Sequence, residues 1–592
     1  MEYLKQFIKK NWIIITLAII IAGAIFIRTY NFSEWLYFKS DQVRDAKLAY
    51  EAFQNGPGEL PLLGPRAAGT YLRLGPIFYY FQYFSAKLFN SVEPAVFAYP
   101  DLFFSILTIP LLFIFAGKFF SRKTSLMITA LYAFSFIIVQ YSRFGWNPNS
   151  LPFWGLLFIL SIYNASIHKD NKKAGWFLVL AGLAYAVVSQ LHFIALVGFP
   201  IIAFLFGIFY FPRKINWKYW LGALAVIAFF YIPVILSDVK TGGDNWDQFI
   251  YAITAKTEND QFTFVGNIKQ ICIALFMFLT SFGHKDAVLS FIGGALLVIF
   301  GLIAMAYFWK TKKEKRAFVY LTVIWFFVFV GLQIKTNISL KPRFFMPIAA
   351  LPFIFWGMIY TYVKTFKVKA LSMLAFLSFP VFLLANFNGI KIAYSFFGTQ
   401  DYASVNRHIF IKQDDAKTLG QIKKASKYMA SQAESVGKIV CFYSPADYER
   451  SYEYVFEVYH PEIKYDRISK SIKDKTACLY FSIATARDDA KKMSARYQDY
   501  FIFKEVREFG QIAVWDIAPT DEFINYSQED EEDEEKEEEK MFEDEISEEE
   551  TEKLEEKEKI KTEEYPQTEK KDPPRRKERV FWKHFFSADY ES

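Results

Sequence analysis

The sequence predicts an α-helical polytopic membrane protein with about eleven transmembrane helices, a small extracytoplasmic α/β domain and a disordered acidic tail. Three observations carry that reading. The 592 residues are 53% hydrophobic and 19% aromatic, and their apolar residues gather in runs of about 20, long enough to cross a bilayer as helices. The loops between runs carry lysine and arginine on alternate sides. Charge is segregated: residues 529–564 hold 22 Asp/Glu against 6 Lys, so the rest of the chain is strongly basic although the whole nets only +6. Together these features exclude a compact soluble enzyme, a collagen-like chain and a wholly disordered one. With three cysteines, a disulfide-rich scaffold and a zinc-ribbon array are excluded too.

The first run is Asn11–Tyr30, behind Lys5, Lys9 and Lys10. It is long, lacks a small-residue cleavage site and contains Arg28, so it reads as a retained anchor. Ten more spans are expected at 96–119, 124–142, 150–167, 175–191, 193–211, 218–236, 288–309, 317–334, 344–363 and 370–387. Basic clusters at Arg122–Lys123, Lys169–Lys173, Arg213–Lys218, Lys310–Arg316 and Lys364–Lys369 mark the cytoplasmic side together with the N-terminus. The long connections 31–95, 237–287 and 388 onward then lie outside, in a plasma membrane. Gly75–Asn90 and Asn267–Gly283 are too short to span and rich in aromatics, and read as helices along the outer interface; the other reading is a pair of short spans.

Residues 1–390 form the membrane domain and 391–525 the α/β domain, with strands at Lys438–Tyr443, Ala477–Ile483 and Gln511–Ile517 and helices at Thr418–Glu434 and Arg487–Tyr500. Cys441 and Cys478 fall on two of those strands, as a disulfide or as buried thiols. Residues 526–592 are the acidic tail with a basic, aromatic end (PPRRKERVFWKHFF), expected to be solvated. No glycine-rich phosphate loop, nucleophile elbow or nucleic-acid module is present.

Charges in a membrane are costly, so their placement is informative. Here they avoid the span interiors and gather at the outer ends. Asp41 and Asp45 follow the first span, Arg66 and Arg73 lie in the same loop, and Asp101 opens the second span. Arg143, Trp146 and Asn147 close the third; Gln190 and His192 sit between the fifth and sixth; Lys341 and Arg343 precede the tenth. Asp41 and Asp45 are four apart, on one helix face, where mutual repulsion and partial desolvation raise a carboxyl pKa and suit a general base. The same pair would also serve to cap or solvate an interfacial helix. Arginines at this depth match lipid phosphate, though each alone reads equally as a headgroup contact. His192 lacks partners at metal-ligand spacing and reads as a hydrogen-bonded imidazole. His284, Lys285 and Asp286 give a weaker acceptor-binding signal.

Four stretches carry a family likeness: Ser40–Ala46 (SDQVRDA), Gly75–Phe81 (GPIFYYF), Tyr141–Pro152 with Ser189–Phe193 (YSRFGWNPNSLP, SQLHF), and Lys341–Pro347 (KPRFFMP). In their order, and placed on one membrane face, they resemble the polytopic GT-C fold glycosyltransferases, specifically the bacterial family-39-like relatives of protein O-mannosyltransferases and lipid A aminoarabinose transferases. Gln42 stands where many members carry glutamate, so no metal role resting on a second carboxylate is implied. The resemblance implies a GT-C fold over residues 1–390 and a sugar donor linked to polyprenyl phosphate. Asp41 would be the base, with Asp45 as its catalytic neighbour. Substrate would be bound by Arg66, Arg73, Tyr79, Tyr80, Asp101, Arg143, Trp146, Asn147, Gln190, His192, Lys341 and Arg343. The acceptor would be a glycan, lipid or protein hydroxyl of the cell envelope, attacked with inversion. No cofactor is expected, and divalent-metal dependence stays open. A lipid-linked-sugar transporter or flippase is the alternative; it calls for broken helices with polar groups near the midplane and for related halves, neither of which the sequence displays.

Overall fold

The computed structural model describes residues 2–67, 71–212, 215–254, 264–281, 287–334, 342–399, 417–469, 472, 474–486, 493–525 and 579–586. The chain divides into two compact units, Met1–Gly420 with Arg576–Ser592, and Gln421–Arg575.

The first unit is helical. Its helices are α1 (Glu2–Thr29), α2 (Asp41–Asn55), α3 (Ile77–Phe89), α4 (Pro94–Ala116), α5 (Arg122–Ala133), α6 (Phe136–Tyr141), α7 (Leu151–Ile167), α8 (Asn171–Leu191), α9 (Phe193–Tyr210), α10 (Trp217–Thr241), α11 (Asp244–Thr254), α12 (Phe264–Leu279), α13 (Ala287–Thr311), α14 (Arg316–Ile334), α15 (Leu351–Val363) and α16 (Lys369–Thr399). Among the described residues, α1, α4, α8, α9, α10, α13, α14 and α16 are long and apolar enough to cross a membrane. A ninth span results if the turn Pro342–Ile348 and the following helix, bent by 58°, count as one. The protein is a multi-pass membrane protein.

All eleven expected runs are helical, but three are not straight spans. The run 124–142 breaks between α5 and α6, and the bundle satisfies the break. Ser135 donates to the Phe278 carbonyl (2.7 Å), and Asn386 of α16 accepts from the Phe136 amide (2.8 Å) while donating to the Leu279 carbonyl (2.8 Å). A helix break is tolerated at such depth only where neighbours take up the freed backbone groups. The run 150–167 gives α7, 17 residues long and packed on α4 and α8. The run 344–363 contains the bend.

The two short apolar stretches differ from each other. Gly75–Asn90 forms α3, packed on α2 and α4 with Phe84, Leu88 and Phe89 exposed. Asn267–Gly283 forms α12, and the expectation of a surface helix fails there: α12 packs among α13, α14 and α15, with Ile271–Leu275 and Met277–Leu279 buried. Gly294 of α13 permits this approach, since a Cβ there would stand 1.9 Å from the Cys272 carbonyl oxygen. Arg28 is fully buried near the end of α1, where it donates to the Ala133 carbonyl (2.8 Å), the Ala24 carbonyl (3.2 Å) and Ser105 (3.2 Å), tying α1 to α4 and α5.

The second unit holds α17 (Leu419–Val436), which starts two residues before it, β1 (Ile439–Tyr443), α18 (Ala446–Tyr459), β2 (Tyr465–Arg467), β3 (Cys478–Thr485), β4 (Phe501–Phe509) and β5 (Ile512–Pro519). The sheet order is β2-β1-β3-β5-β4, parallel through β2, β1 and β3 and antiparallel from β3 to β4. Cys441 and Cys478 are joined in a disulfide. The expected strands are present; of the expected helix Arg487–Tyr500, residues 487–492 lie outside the described residues and only Ala495–Gln498 is helical. Most of the acidic tail also lies outside the described residues, but 579–586 packs within the first unit, where a solvated end was expected.

Candidate functional site

The site is built at the end of the bundle that carries α2 and α3. The chain leaves α1, turns through Ser40 and starts α2 at Asp41. Ser40 holds φ 46° and ψ −106°, a region sparsely populated by non-glycine residues and costing about 1–3 kcal/mol. That turn sets Asp41 on the first turn of α2, with Arg44 and Asp45 one turn further on. Arg44 bridges both carboxylates: Nη1 lies 2.9 Å from Asp41 Oδ1, and Nε and Nη2 lie 2.8 and 2.7 Å from Asp45 Oδ1.

The two aspartates are not equivalent. The Asp45 side chain is fully buried, while that of Asp41 is 39% exposed. Burial pushes the Asp45 carboxyl up to about 6, against the pull of Arg44. Tyr79 on the first turn of α3 is fully buried with its hydroxyl beside Asp45. Burial, then the Asp45 charge, raise the Tyr79 phenol well above its ordinary value.

Arg343, on the turn Pro342–Ile348, closes the other side. Its guanidinium lies 5.1 Å from the Trp146 ring centroid and 4.9 Å from that of Phe344. It is within electrostatic reach of Asp41 and Tyr141, and of His192, whose ring meets Phe344 edge-on at 5.8 Å. His192 Nδ1 accepts from the Ile194 amide (3.2 Å), which leaves the proton of the neutral ring on Nε2. Asp41, Asp45, Tyr79, Trp146, His192 and Arg343, from segments far apart in sequence, thus converge with Arg44 and Tyr141.

Other expected residues frame this cluster. Asp101 is buried and accepts from the Trp146 amide (2.8 Å), fixing that ring's backbone. Asn147 donates to the Leu191 carbonyl (2.6 Å), below His192. Gln190 donates to the Ala186 and Phe230 carbonyls and accepts from the Ile77 amide (3.4 Å), seating α3 on α8. Tyr80 donates to the Pro61 carbonyl (3.2 Å). Arg73 donates to the Gly64 carbonyl (3.2 Å) and reaches Tyr79 electrostatically.

Two arginines turn away. Arg143 donates to the Ile27 and Arg28 carbonyls (3.2 and 2.7 Å) and lies over Tyr394 and Phe32, so it staples the end of α1. Arg66 is exposed over the Tyr71 ring. Lys341, with His284, Lys285 and Asp286, lies outside the described residues. Sequence reasoning missed Arg44, although its i+3 spacing from Asp41 was a readable signal. It also missed Tyr141, which the eye takes for part of an apolar span.

Among the described residues, no three His, Cys, Asp or Glu side chains group as a metal site. A groove of about 610 Å³ opens elsewhere, between α8 and α10, lined by apolar side chains such as Trp176, Leu183, Phe229 and Phe230.

Residues 74–236 match the family model described as dolichyl-phosphate-mannose-protein mannosyltransferase. The crystal structure of ArnT from Cupriavidus metallidurans bound to undecaprenyl phosphate superposes with a TM-score of 0.50 at 11% identity, over 85% of this chain and 98% of that one. This is the GT-C fold. The apo state of the same ArnT gives 0.49 at 11% identity, over 86% and 98%. The apo oligosaccharyltransferase of Archaeoglobus fulgidus gives 0.45 at 15% identity, over 77% of this chain. This chain covers 64% of that enzyme's length. No curated protein matches. Within the GT-C frame the matched segment takes in α3 through most of α10, hence Tyr79, Trp146 and His192, and leaves out Asp41, Asp45 and Arg343.

Proposed function

We propose that this chain is an integral membrane glycosyltransferase that moves a sugar from a polyprenyl-phosphate-linked donor to a hydroxyl acceptor at the extracytoplasmic face, with inversion. The observation that carries the reading is a half-exposed carboxylate, Asp41, within electrostatic reach of Arg343 on a wall of aromatic rings. Asp41 takes the proton of the acceptor hydroxyl. The freed oxygen attacks the anomeric carbon, the bond from that carbon to the phosphate oxygen breaks, and polyprenyl phosphate leaves with the electron pair. Arg343 stabilises the charge that grows on the leaving phosphate, a task that planar guanidinium suits. Asp45 and Arg44 hold Asp41 in place, while the buried Trp146 ring, stacked with Tyr141, backs the Arg343 guanidinium. The donor bond is already activated, so no nucleotide site is called for.

Two further observations support the reading. The family model matched by residues 74–236 describes lipid-linked mannosyl transfer, and the ArnT structure with the same fold holds undecaprenyl phosphate. The Cys441–Cys478 disulfide suits an oxidising compartment, which favours the second unit lying outside the cytoplasm. Orientation with the N-terminus inside follows from the basic loops.

The test is sugar transfer from radiolabelled polyprenyl-phosphate sugars in membranes. Asp41→Asn is expected to lower turnover by about 10²–10⁴-fold, the range for a lost general base, with the chain still inserted. Unchanged turnover would remove Asp41 from the role of base.

A further inference from the structure

The basic, aromatic segment 579–586 lies against the first loop, next to the site. Its backbone pairs with residues 60–62: the Leu62 amide donates to the Val580 carbonyl (3.0 Å), the Trp582 amide donates to the Leu60 carbonyl (3.2 Å), and Pro61 faces Phe581 in an antiparallel bridge. Side chains add two more ties. Trp582 Nε1 donates to the Tyr80 hydroxyl (2.8 Å), which itself donates to the Pro61 carbonyl. Lys583 Nζ lies 2.9 Å from Glu59 Oε2. Val580 is buried.

These contacts bear on the site through α3. Trp582 holds Tyr80, and the neighbouring Tyr79 has its hydroxyl beside Asp45. The Arg579 guanidinium lies 5.9 Å from the Tyr79 ring centroid, within the range of a cation–π contact. We propose that segment 579–586 is a working part of the site: it straps the first loop to α3 and supplies Arg579 as a positioning residue that holds Tyr79 against Asp45. The proposal rests on the glycosyl-transfer reading above. Among the described residues, Arg44 and Asp41 act on Asp45 from α2 and Tyr79 from α3, while Arg44, Arg73 and Arg579 act on Tyr79. Without the strap, the first turn of α3 loses its outer support and Asp45 loses a fixed neighbour.

The experiment compares the full chain in lipid nanodiscs with a chain ending at Glu578, and with full-length Arg579→Gln, Arg579→Lys and Trp582→Phe. The first readout is amide hydrogen exchange at Leu62, which needs no activity. Truncation is expected to speed that exchange at least tenfold. The second readout is transfer from a radiolabelled polyprenyl-phosphate sugar as a function of pH. Truncation and Arg579→Gln are expected to lower turnover about tenfold and to move the acid limb of the profile, Arg579→Lys to recover most of the rate, and Trp582→Phe to fall between. Equal Leu62 exchange in full and truncated chains would overturn the docking. Faster exchange with turnover, KM and acid limb all unchanged would overturn the positioning role. Higher turnover on truncation would also overturn it, marking the segment as a cover instead. A full chain that transfers no sugar from any donor tried sinks the transferase reading and this one with it, while the other outcomes sink this one alone.

Discussion

At the scale of residues, the feature with the widest consequences is one guanidinium shared by two unequal carboxylates. Burial raises Asp45 to about 6. Between the ordinary value near 3.8 and that figure, the folded chain keeps a proton that the unfolded chain has lost. The stabilising contribution of this group is therefore fully present below 3.8 and is lost as pH rises through about 6. Function should run the other way. Protonation of Asp45 releases Arg44 from it and disturbs Asp41, so transfer is expected to fall as pH drops through about 6. A rate profile from pH 5 to 8 checks this, and Asp45→Asn, a permanent stand-in for the protonated side chain, should abolish the limb by holding the rate at its low-pH level throughout. The sequence made the two aspartates legible because acidic residues are scarce near the spans. It did not make their inequality legible: burial of Asp45 comes from α3 folding back over α2, a contact between segments some 35 residues apart. Arg143 shows the opposite error. It has the residue type and the depth of a phosphate ligand, yet the carbonyls at the end of α1 claim it.

At the scale of elements, two glycines set how closely pieces approach. Gly294 sits where a Cβ would meet the backbone of α12 at 1.9 Å, and backbone cannot rotate aside. Gly294→Val is expected to cost at least about 1–3 kcal/mol, read as a lowered unfolding temperature of the detergent-solubilised protein. Gly64 sits in the first loop, pairing with Leu74 (2.7 Å) just before α3, and a Cβ there would stand 2.1 Å from the Gly75 carbonyl oxygen. Gly64→Ala should push α3 off its seat and lower transfer about ten- to a hundredfold with insertion intact, since small misplacements of positioning groups are costly. All eleven apolar runs were legible as helices from hydropathy and length alone. Which of them run straight was not, because the break at Phe134–Ser135 is stabilised by Asn386 from a helix about 250 residues away. Likewise α12 matched a surface helix in length and composition, and only the small face of α13 reveals that it belongs inside. The edge strand β4 escaped notice because just Phe501 of its nine residues is fully buried, which leaves little alternation to read.

At the scale of the whole molecule, the change in composition near residue 400 marked two bodies in the sequence, and the units divide after Gly420. The Cys441–Cys478 bridge closes a loop of 37 residues in the second unit. Loop-closure entropy assigns such a bridge about 4 kcal/mol, so Cys441→Ser with Cys478→Ser should destabilise that unit by roughly this amount, measured as its proteolysis rate in urea. The tail taught the reverse lesson. Composition set 529–564 apart as an acidic tract but said nothing of where Trp582 would go, because its partner Tyr80 lies 502 residues earlier. That separation also sets an order of events during synthesis. At about 5–20 residues per second, the ribosome needs roughly half a minute or more after making Tyr80 before Trp582 exists. At the start of that interval the nascent chain carries Asp41, Arg44 and Asp45 but not yet Arg343, and until its end it lacks the segment proposed to steady α3. On the strapping proposed above, a chain released before Arg579 would insert and fold with its membrane helices complete yet transfer sugar about tenfold more slowly.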